Sequence, residues 1–407
     1  MKCRFCNETI SYEFLNLENQ PLSNGYLTLE LLARPEITFP LKLLICENCL
    51  LVQTKDYASA EDIFSANYAY FSSTSQSWLA HARDYTDNIV NRLNLNKDSM
   101  VVEIASNDGY LLRNFISLGI PCIGIEPSES TANAAIRRGI PTIKRFFSYE
   151  FSREFVGNHG KSDLVIGNNV FAHVPDINNF TRGIASVLKK DGVVTLEFPY
   201  LLKMIELNQF DTAYHEHFSY FSFSVVKKIF ERAGLRIFDV DNLNTHGGSL
   251  RIYGCLNKAR YNEKDTVKLL LKKELETGMS KLTFYQSFQR NAVYVKNSLL
   301  HFLLKAHEQG KTIAGYGAAA KGNTMLNFAG IKKDLLPVVY DASPFKQGKF
   351  LPGSHIPIED PNKLKDQNVD YILILPWNIA NEIQKQLSYL SERGTKFIVA
   401  VPNLRIL

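Results

Sequence analysis

Two Cys-x-x-Cys pairs, Cys3-Arg4-Phe5-Cys6 and Cys46-Glu47-Asn48-Cys49, constrain the folding of this 407-residue chain more than any other feature. A two-residue gap lets both sulfurs of a pair reach one ion, and in a reducing compartment four thiolates favour a tetrahedral zinc site over disulfides. The pairs are separated by 39 residues, so the segment between them must double back. With cysteine at all four positions the expected zinc is closed and structural. Cys122 and Cys255 lie in apolar stretches and read as core residues.

The length implies two or three domains. Hydrophobic residues at 45% and charged residues at 21% describe a globular chain, and a net charge of +5 arrives without any Lys/Arg block. That excludes a basic nucleic-acid arm and suits a pocket for a phosphorylated small molecule. No signal-like segment follows Met1, and no apolar run approaches the roughly 18 residues of a membrane helix. The expected location is the cytoplasm, with no membrane and no nucleic acid as partner. Oligomeric state is not written in these patterns, and a monomer is acceptable.

Short apolar runs at 99–104, 120–125, 163–167 and 193–198 alternate with helical spacing at 78–93 and 110–118, which predicts an α/β fold with a doubly wound parallel sheet. Runs at 235–241 and 250–255 read as paired strands around Thr245-His246-Gly247-Gly248. Residues 262–307 read as one long charged helical stretch bridging two domains. A second α/β unit follows, with strands at 312–317, 336–341, 371–375 and 396–401 and a helix at 318–328.

The first strand ends in Glu103, then Ala105-Ser106-Asn107-Asp108-Gly109, and the next ends in Glu126. Such a turn presents backbone N–H groups to a ligand, and an acidic residue on the following strand end grips ribose hydroxyls. The Glu103 to Glu126 spacing fits nicotinamide dinucleotides and S-adenosylmethionine equally. The turn favours the second, because Ala105, Ser106, Asn107 and Asp108 stand where a pyrophosphate needs glycine, and acidic groups tolerate the cationic amino and sulfonium groups. An ordinary structural turn is the competing reading. Asn168, at a later strand end, joins the cofactor set.

The segment Tyr214-His215-Glu216-His217-Phe218-Ser219-Tyr220-Phe221 gathers imidazoles, a carboxylate and phenols. Partial burial pushes such groups toward neutral pKa values, as proton transfer requires. An exposed polar corner, or two histidine metal ligands, are the alternatives.

Together with Asn169-Val170-Phe171-Ala172-His173-Val174-Pro175-Asp176 and Gly315-Tyr316-Gly317-Ala318-Ala319-Ala320-Lys321-Gly322-Asn323, these motifs resemble, over nearly the whole chain, the sugar C-methyltransferase family. Its members include the C-3' methyltransferases of deoxysugar biosynthesis. The resemblance implies a zinc-binding domain (1–75), a Rossmann-like S-adenosylmethionine-dependent methyltransferase domain (76–260) and a Rossmann-like domain for the sugar nucleotide (261–407). The implied substrate is a TDP- or GDP-linked 4-keto-6-deoxy sugar. Methylation at C-3 needs a base for its proton and a positive charge or donor near the C-4 oxygen to hold the enolate; inversion at C-3 is expected.

By resemblance His217 leads as base, with Glu216 holding its tautomer or acting as base itself. Neighbours on a strand point to opposite faces, so both serve one site only if the segment is irregular. Tyr214, Tyr68 and His173 carry over as hydrogen-bond partners of the sugar, each with a plain packing alternative; His246 either lines the site or merely sits in a turn. Tyr316, Gly317, Lys321 and Asn323 form an expected diphosphate cradle, which alone also reads as a nicotinamide site or a close-packed turn. Asp341, Trp377 and Asn378 lie at strand ends facing the same ligand. The rivals are an O- or N-methyltransferase, an NAD(P)-dependent sugar-nucleotide oxidoreductase, and a binding protein without turnover.

Overall fold

The computed structural model describes residues 1–55 and 71–407, and three sheets organise them. The first is antiparallel, in the order β1 (Tyr12–Gln20), β2 (Phe39–Ile45), β3 (Val52–Thr54) and β9 (Ser219–Tyr220). Along β2, Leu41, Leu43 and Ile45 are fully buried while Lys42 and Leu44 are not, the period of two that turns one face to a core. Its last strand comes from the middle of the chain, so the Tyr214–Phe221 motif is stitched into the zinc-binding unit.

The second sheet has the order β10 (Leu235–Leu243), β11 (Ser249–Leu256), β8 (Leu188–Pro199), β7 (Ser162–Asn168), β4 (Val101–Ile104), β5 (Cys122–Ile125) and β6 (Thr142–Ile143). Strands β8 to β6 are parallel, and β4 and β7 are buried along their apolar runs, as strands covered on both faces must be. The sheet is not wholly parallel: β11 runs against both its neighbours, because the expected Thr245–Gly248 turn closes a hairpin. Chain direction across the sheet reverses between β4 and β7, and the crevice beyond the strand ends at such a point is where α/β sheets bind ligands.

The third sheet, β14 (Ile358–Glu359), β13 (Val339–Tyr340), β12 (Ile313–Tyr316), β15 (Tyr371–Ile374), β16 (Lys396–Val399) and β17 (Arg405–Ile406), is parallel except for β17. Residues 262–307 do not form one helix. Asp265–Thr277 stops at Gly278, whose φ of +93° closes the last turn onto the Glu274 and Leu275 carbonyls, and Phe288–Glu308 begins after a short 3-10 turn. Helical spacing continues on both sides of that glycine, so periodicity alone ran through the break.

The zinc-binding unit wedges between the other two. Phe14 stacks on Phe288 with ring centroids 4.8 Å apart, and the Glu36 carboxylate accepts from the Gly353 amide at 2.9 Å and lies 2.8 Å from His355 Nε2. Buried Glu274 accepts from Tyr200 Oη at 2.9 Å and from the Phe223 and Ser224 amides at 2.6 and 2.9 Å. It caps the Phe223–Arg232 helix and fixes the linking helix to the second sheet. Among the described residues, no helix is long and apolar enough to cross a membrane.

Candidate active site

The four cysteine sulfurs lie within 4.8 Å of one another, with Cys3 to Cys49 and Cys6 to Cys46 both at 3.5 Å. All four are free thiols, and this spacing fits tetrahedral Zn–S bonds of about 2.3 Å. Gln53 Nε2 donates to Cys3 Sγ at 3.3 Å, an outer-shell bond of the kind that orients a ligand. Among the described residues, no other group of three or more histidine, cysteine or acidic side chains is arranged to hold a metal ion.

At the end of β4 the chain turns through Ala105 and Asn107, both with left-handed φ (+57° and +51°). Glu126 secures the turn by accepting from the Asn107 amide and the Ser128 amide, each at 2.9 Å. Asp108 is fully buried, ion-paired to Arg138 at 2.8 Å and hydrogen-bonded by Ser73, so part of its charge serves the turn itself. Several buried polar atoms here have no partner among the described residues: Glu103 Oε2, Ser106 Oγ, Asp108 Oδ1 and both amide atoms of Asn168. Burial, with the charges of Glu126 and Asp108 adding, pushes the Glu103 carboxyl well above the usual range. Such groups are costly unless a ligand satisfies them. Acceptors beside an amide-rich turn fit the amino and ribose groups of S-adenosylmethionine.

The Tyr214 segment is irregular, as two neighbouring functional groups require. The His217 amide closes a turn onto the Tyr214 carbonyl at 3.0 Å, bringing the two rings to 4.1 Å and His217 to 4.7 Å from the His173 ring. His215 turns the other way, its Nε2 3.3 Å from the Pro40 carbonyl. Glu216 accepts from Asn24 Nδ2 at 2.7 Å. The Thr212 carbonyl beside the His217 ring and the Glu216 backbone carbonyl beside the His173 ring favour the protonated forms and partly offset burial. Burial first, then the neighbouring His173 and His246, holds His217 well below the ordinary imidazole range. Burial likewise lowers His173 and His246 to about 4. All three are neutral at pH 7, and His217 has one nitrogen donating and the other left with its lone pair.

The third sheet contributes Lys321, half-buried and lowered to about 8 by desolvation. Its ammonium sits 2.7 Å from Asn378 Oδ1 and 4.6 Å from the Trp377 ring centroid. Trp377 Nε1 donates to Asp211 Oδ2 at 2.7 Å, and burial raises Asp211 to about 6. The Lys321 charge also depresses His217 and His246, so this cation borders the histidines. The rest of the expected cradle looks elsewhere. Tyr316 is buried in the core of the third sheet, Asn323 Nδ2 donates to the Ser23 carbonyl at 3.2 Å, and Asp341 accepts from the Ala318 and Ser343 amides at 2.7 and 2.8 Å. A side chain at Gly317 would strike Pro376 at 2.4 Å, and one at Gly322 would strike Leu375 at 2.6 Å, so close packing accounts for those glycines. Tyr68 lies outside the described residues.

Sequence reasoning gave no role to a second buried group. Glu197, at the end of β8, lies 2.8 Å from Arg251 Nη2 and 3.0 Å from His81 Nε2, and accepts from Thr245 Oγ1 at 2.9 Å. Trp78 stacks on His81 at 4.8 Å and tilts against His246 at 5.2 Å, and Asn169 Nδ2 is 3.4 Å from His246 Nε2. The available signals were a carboxylate at a strand end and an arginine inside the apolar run Leu250-Arg251-Ile252.

Comparison with known proteins fits this geometry. Residues 3–64 match a zinc-binding domain family, 76–240 a methyltransferase domain, and 244–402 a C-methyltransferase C-terminal domain. The C-methyltransferase NovU of Streptomyces niveus is 34% identical over 406 residues, covering 100% of this chain and 96% of its own length. Among solved structures, magnesium protoporphyrin IX methyltransferase from Synechocystis PCC 6803 with bound SAH overlays with a TM-score of 0.34 at 15% identity, over 43% of this chain and 81% of its own. An S-adenosylmethionine-dependent methyltransferase from Clostridium acetobutylicum ATCC 824 gives 0.35 at 11%, over 44% and 92%.

Proposed function

This chain belongs to the sugar C-methyltransferase family, with S-adenosylmethionine as methyl donor and a structural zinc, and on that premise we propose that it methylates C-3 of a nucleotide-linked 4-keto-6-deoxy sugar through an enolate. S-adenosylmethionine, when bound at the Glu103–Gly109 turn, supplies an electrophilic methyl group to a carbon nucleophile. Residues 1–75, 76–260 and 261–407 are, in this reading, the zinc, donor and sugar-nucleotide domains.

The observation that carries the reading is the Tyr214–His217 turn, which sets a buried, neutral His217 ring between Tyr214 and His173. A neutral imidazole held between the Tyr214 and His173 rings is oriented to take a proton from carbon. Protonating it in so buried a place would be costly alone, but the enolate forms at the same moment and pairs the new charge. Lys321 supports the other half, as the positive charge beside the C-4 oxygen, held in place by Asn378, Trp377 and Asp211. His173 and Tyr214 are assigned as hydrogen-bond partners of the sugar and Tyr68 completes the same set. Glu103, Glu126, Asn168 and the backbone of Ala105 to Gly109 are assigned to the donor.

The test is mass spectrometry of products from S-adenosylmethionine with a panel of TDP- and GDP-linked 4-keto-6-deoxy sugars. A product heavier by one methyl, with the methyl on C-3, is expected. A methyl on oxygen or nitrogen, or unmodified sugars with folded, donor-binding protein, overturns the reading.

A further inference from the structure

The zinc centre and the histidine pair are joined by a short run of contacts that the proposed reaction does not itself use. Arg4 lies between Cys3 and Cys6. Its amide donates to Gln53 Oε1 at 2.9 Å while Gln53 Nε2 donates to Cys3 Sγ at 3.3 Å, so the glutamine side chain locks the first knuckle from both ends. The Gln53 backbone is paired with Ser219 across β3 and β9. Next along β3, the Thr54 amide donates to the Phe218 carbonyl at 3.1 Å and the Thr54 hydroxyl donates to the His217 carbonyl.

The Arg4 guanidinium reaches both histidine loops. Nη2 donates to the Thr54 carbonyl at 3.2 Å, Nη1 donates to the Pro175 carbonyl at 3.1 Å, and the group lies 4.9 Å from the Phe218 ring centroid. Pro175 is two residues past His173, and Phe218 is one past His217. The two loops also meet directly, since the Phe218 amide donates to the Ala172 carbonyl at 2.8 Å. A zinc clamp needed only for local stability would have no reason to end on these two loops.

We propose that Arg4, Gln53 and Thr54 are positioning residues through which the zinc-bound knuckle sets the spacing and burial of the His173–His217 pair. This rests on the assignment of His217 as base. The Thr54 hydroxyl fixes the carbonyl of the base, and Arg4 fixes the gap between the two loops. Slackening either admits water to the His217 ring and lets it gain a proton at higher pH.

The test uses zinc-loaded full-length protein carrying 13C-labelled histidine, as wild type, His217→Ala, Thr54→Val, Thr54→Ser and Arg4→Met. The wild-type resonance lost in His217→Ala is expected to stay in its neutral position well below the free-imidazole value of about 6.5, whereas Thr54→Val and Arg4→Met move its titration toward that value. Zinc stoichiometry and S-adenosylhomocysteine affinity stay at wild-type values, and Thr54→Ser restores the wild-type titration. On the sugar panel, Thr54→Val lowers kcat about tenfold, the effect of one neutral hydrogen bond, with KM for S-adenosylmethionine unchanged. A His217 titration in both Thr54→Val and Arg4→Met identical to wild type overturns the proposal, as does loss of zinc in parallel with every change. Full turnover by His217→Ala instead removes the base assignment, while the titration still reads the positioning contacts.

Discussion

The turn after β4 and the turn after β12 are built alike, each a strand running through small residues into a helix, yet they differ in what they leave unsatisfied. At the first, Glu103 Oε2, Ser106 Oγ and, from the end of β7, both amide atoms of Asn168 are buried without partners among the described residues. At the second, Asp341, which follows β13, is bonded to two amides and lies 3.2 Å from Lys346 Nζ, Asn323 is bonded to Ser23, and the glycines are filled by Pro376 and Leu375. A Gly-rich strand-to-helix turn is therefore no evidence of a ligand by itself; buried polar atoms left waiting are. What the second turn does deliver is one cation, Lys321.

The largest effect should come from the proposed base, His217. His217→Ala is expected to lower the methyl-transfer rate by about 10²- to 10⁴-fold, the usual worth of a positioned base, while isothermal titration shows S-adenosylhomocysteine binding unchanged. Retained turnover would move the base to Glu216 or Tyr214. Lys321→Met is expected to lower kcat by about 10²- to 10³-fold, as removal of an oxyanion donor does, with little change in KM for the donor. A rise in KM for the sugar nucleotide alone would return Lys321 to a diphosphate role.

Glu103→Gln and Asp341→Asn separate the two turns most cleanly. Glu103→Gln should weaken S-adenosylhomocysteine binding roughly 10- to 100-fold, the loss of a charge-assisted bond, and leave the melting temperature level or higher because a lone buried carboxylate has gone. Asp341→Asn should do the reverse, costing about 1–3 kcal/mol of stability by calorimetry with no change in that affinity. Equal behaviour of the two variants would erase the distinction. Since the Glu103 carboxyl is raised, it is neutral at low pH and gains its charge as pH rises. Donor affinity should then climb with pH, with proton release on binding measurable in buffers of different ionisation enthalpy.

The pH dependence of kcat gives the smallest effect. Lys321 is lowered to about 8, so it holds its charge below that pH and loses it above, and the rate should fall through an alkaline limb near 8. His217 is held well below the free-imidazole range and is already neutral at 6.5, so no acid limb is expected there. An acid limb near 6.5 would mean a solvated His217.

What could be read in the sequence follows from how local each feature is. Cys3 and Cys6, Cys46 and Cys49, and Glu103 with its turn announce themselves within a few residues, and the alternation of apolar strands and helices gave the α/β architecture. The break at Gly278 was hidden because helical spacing resumes beyond it. Glu197, Arg251 and His81 form one group only after three elements meet. Asp211 and Trp377 are 166 positions apart, and Arg4 and Pro175 are 171 apart; nothing in either neighbourhood marks the other. The diphosphate cradle was expected from glycines whose packing partners, Pro376 and Leu375, lie more than 50 positions downstream.

Deuterium exchange tests the central claim most directly. The protein, without methyl donor, is incubated in deuterium oxide with whichever TDP- or GDP-linked 4-keto-6-deoxy sugar it binds, and the C-3 position is followed by NMR and mass spectrometry. Exchange at C-3 catalysed by the wild type and lost in His217→Ala is the predicted result. No exchange at C-3 by folded wild-type protein with bound sugar, or equal exchange by His217→Ala, would contradict it.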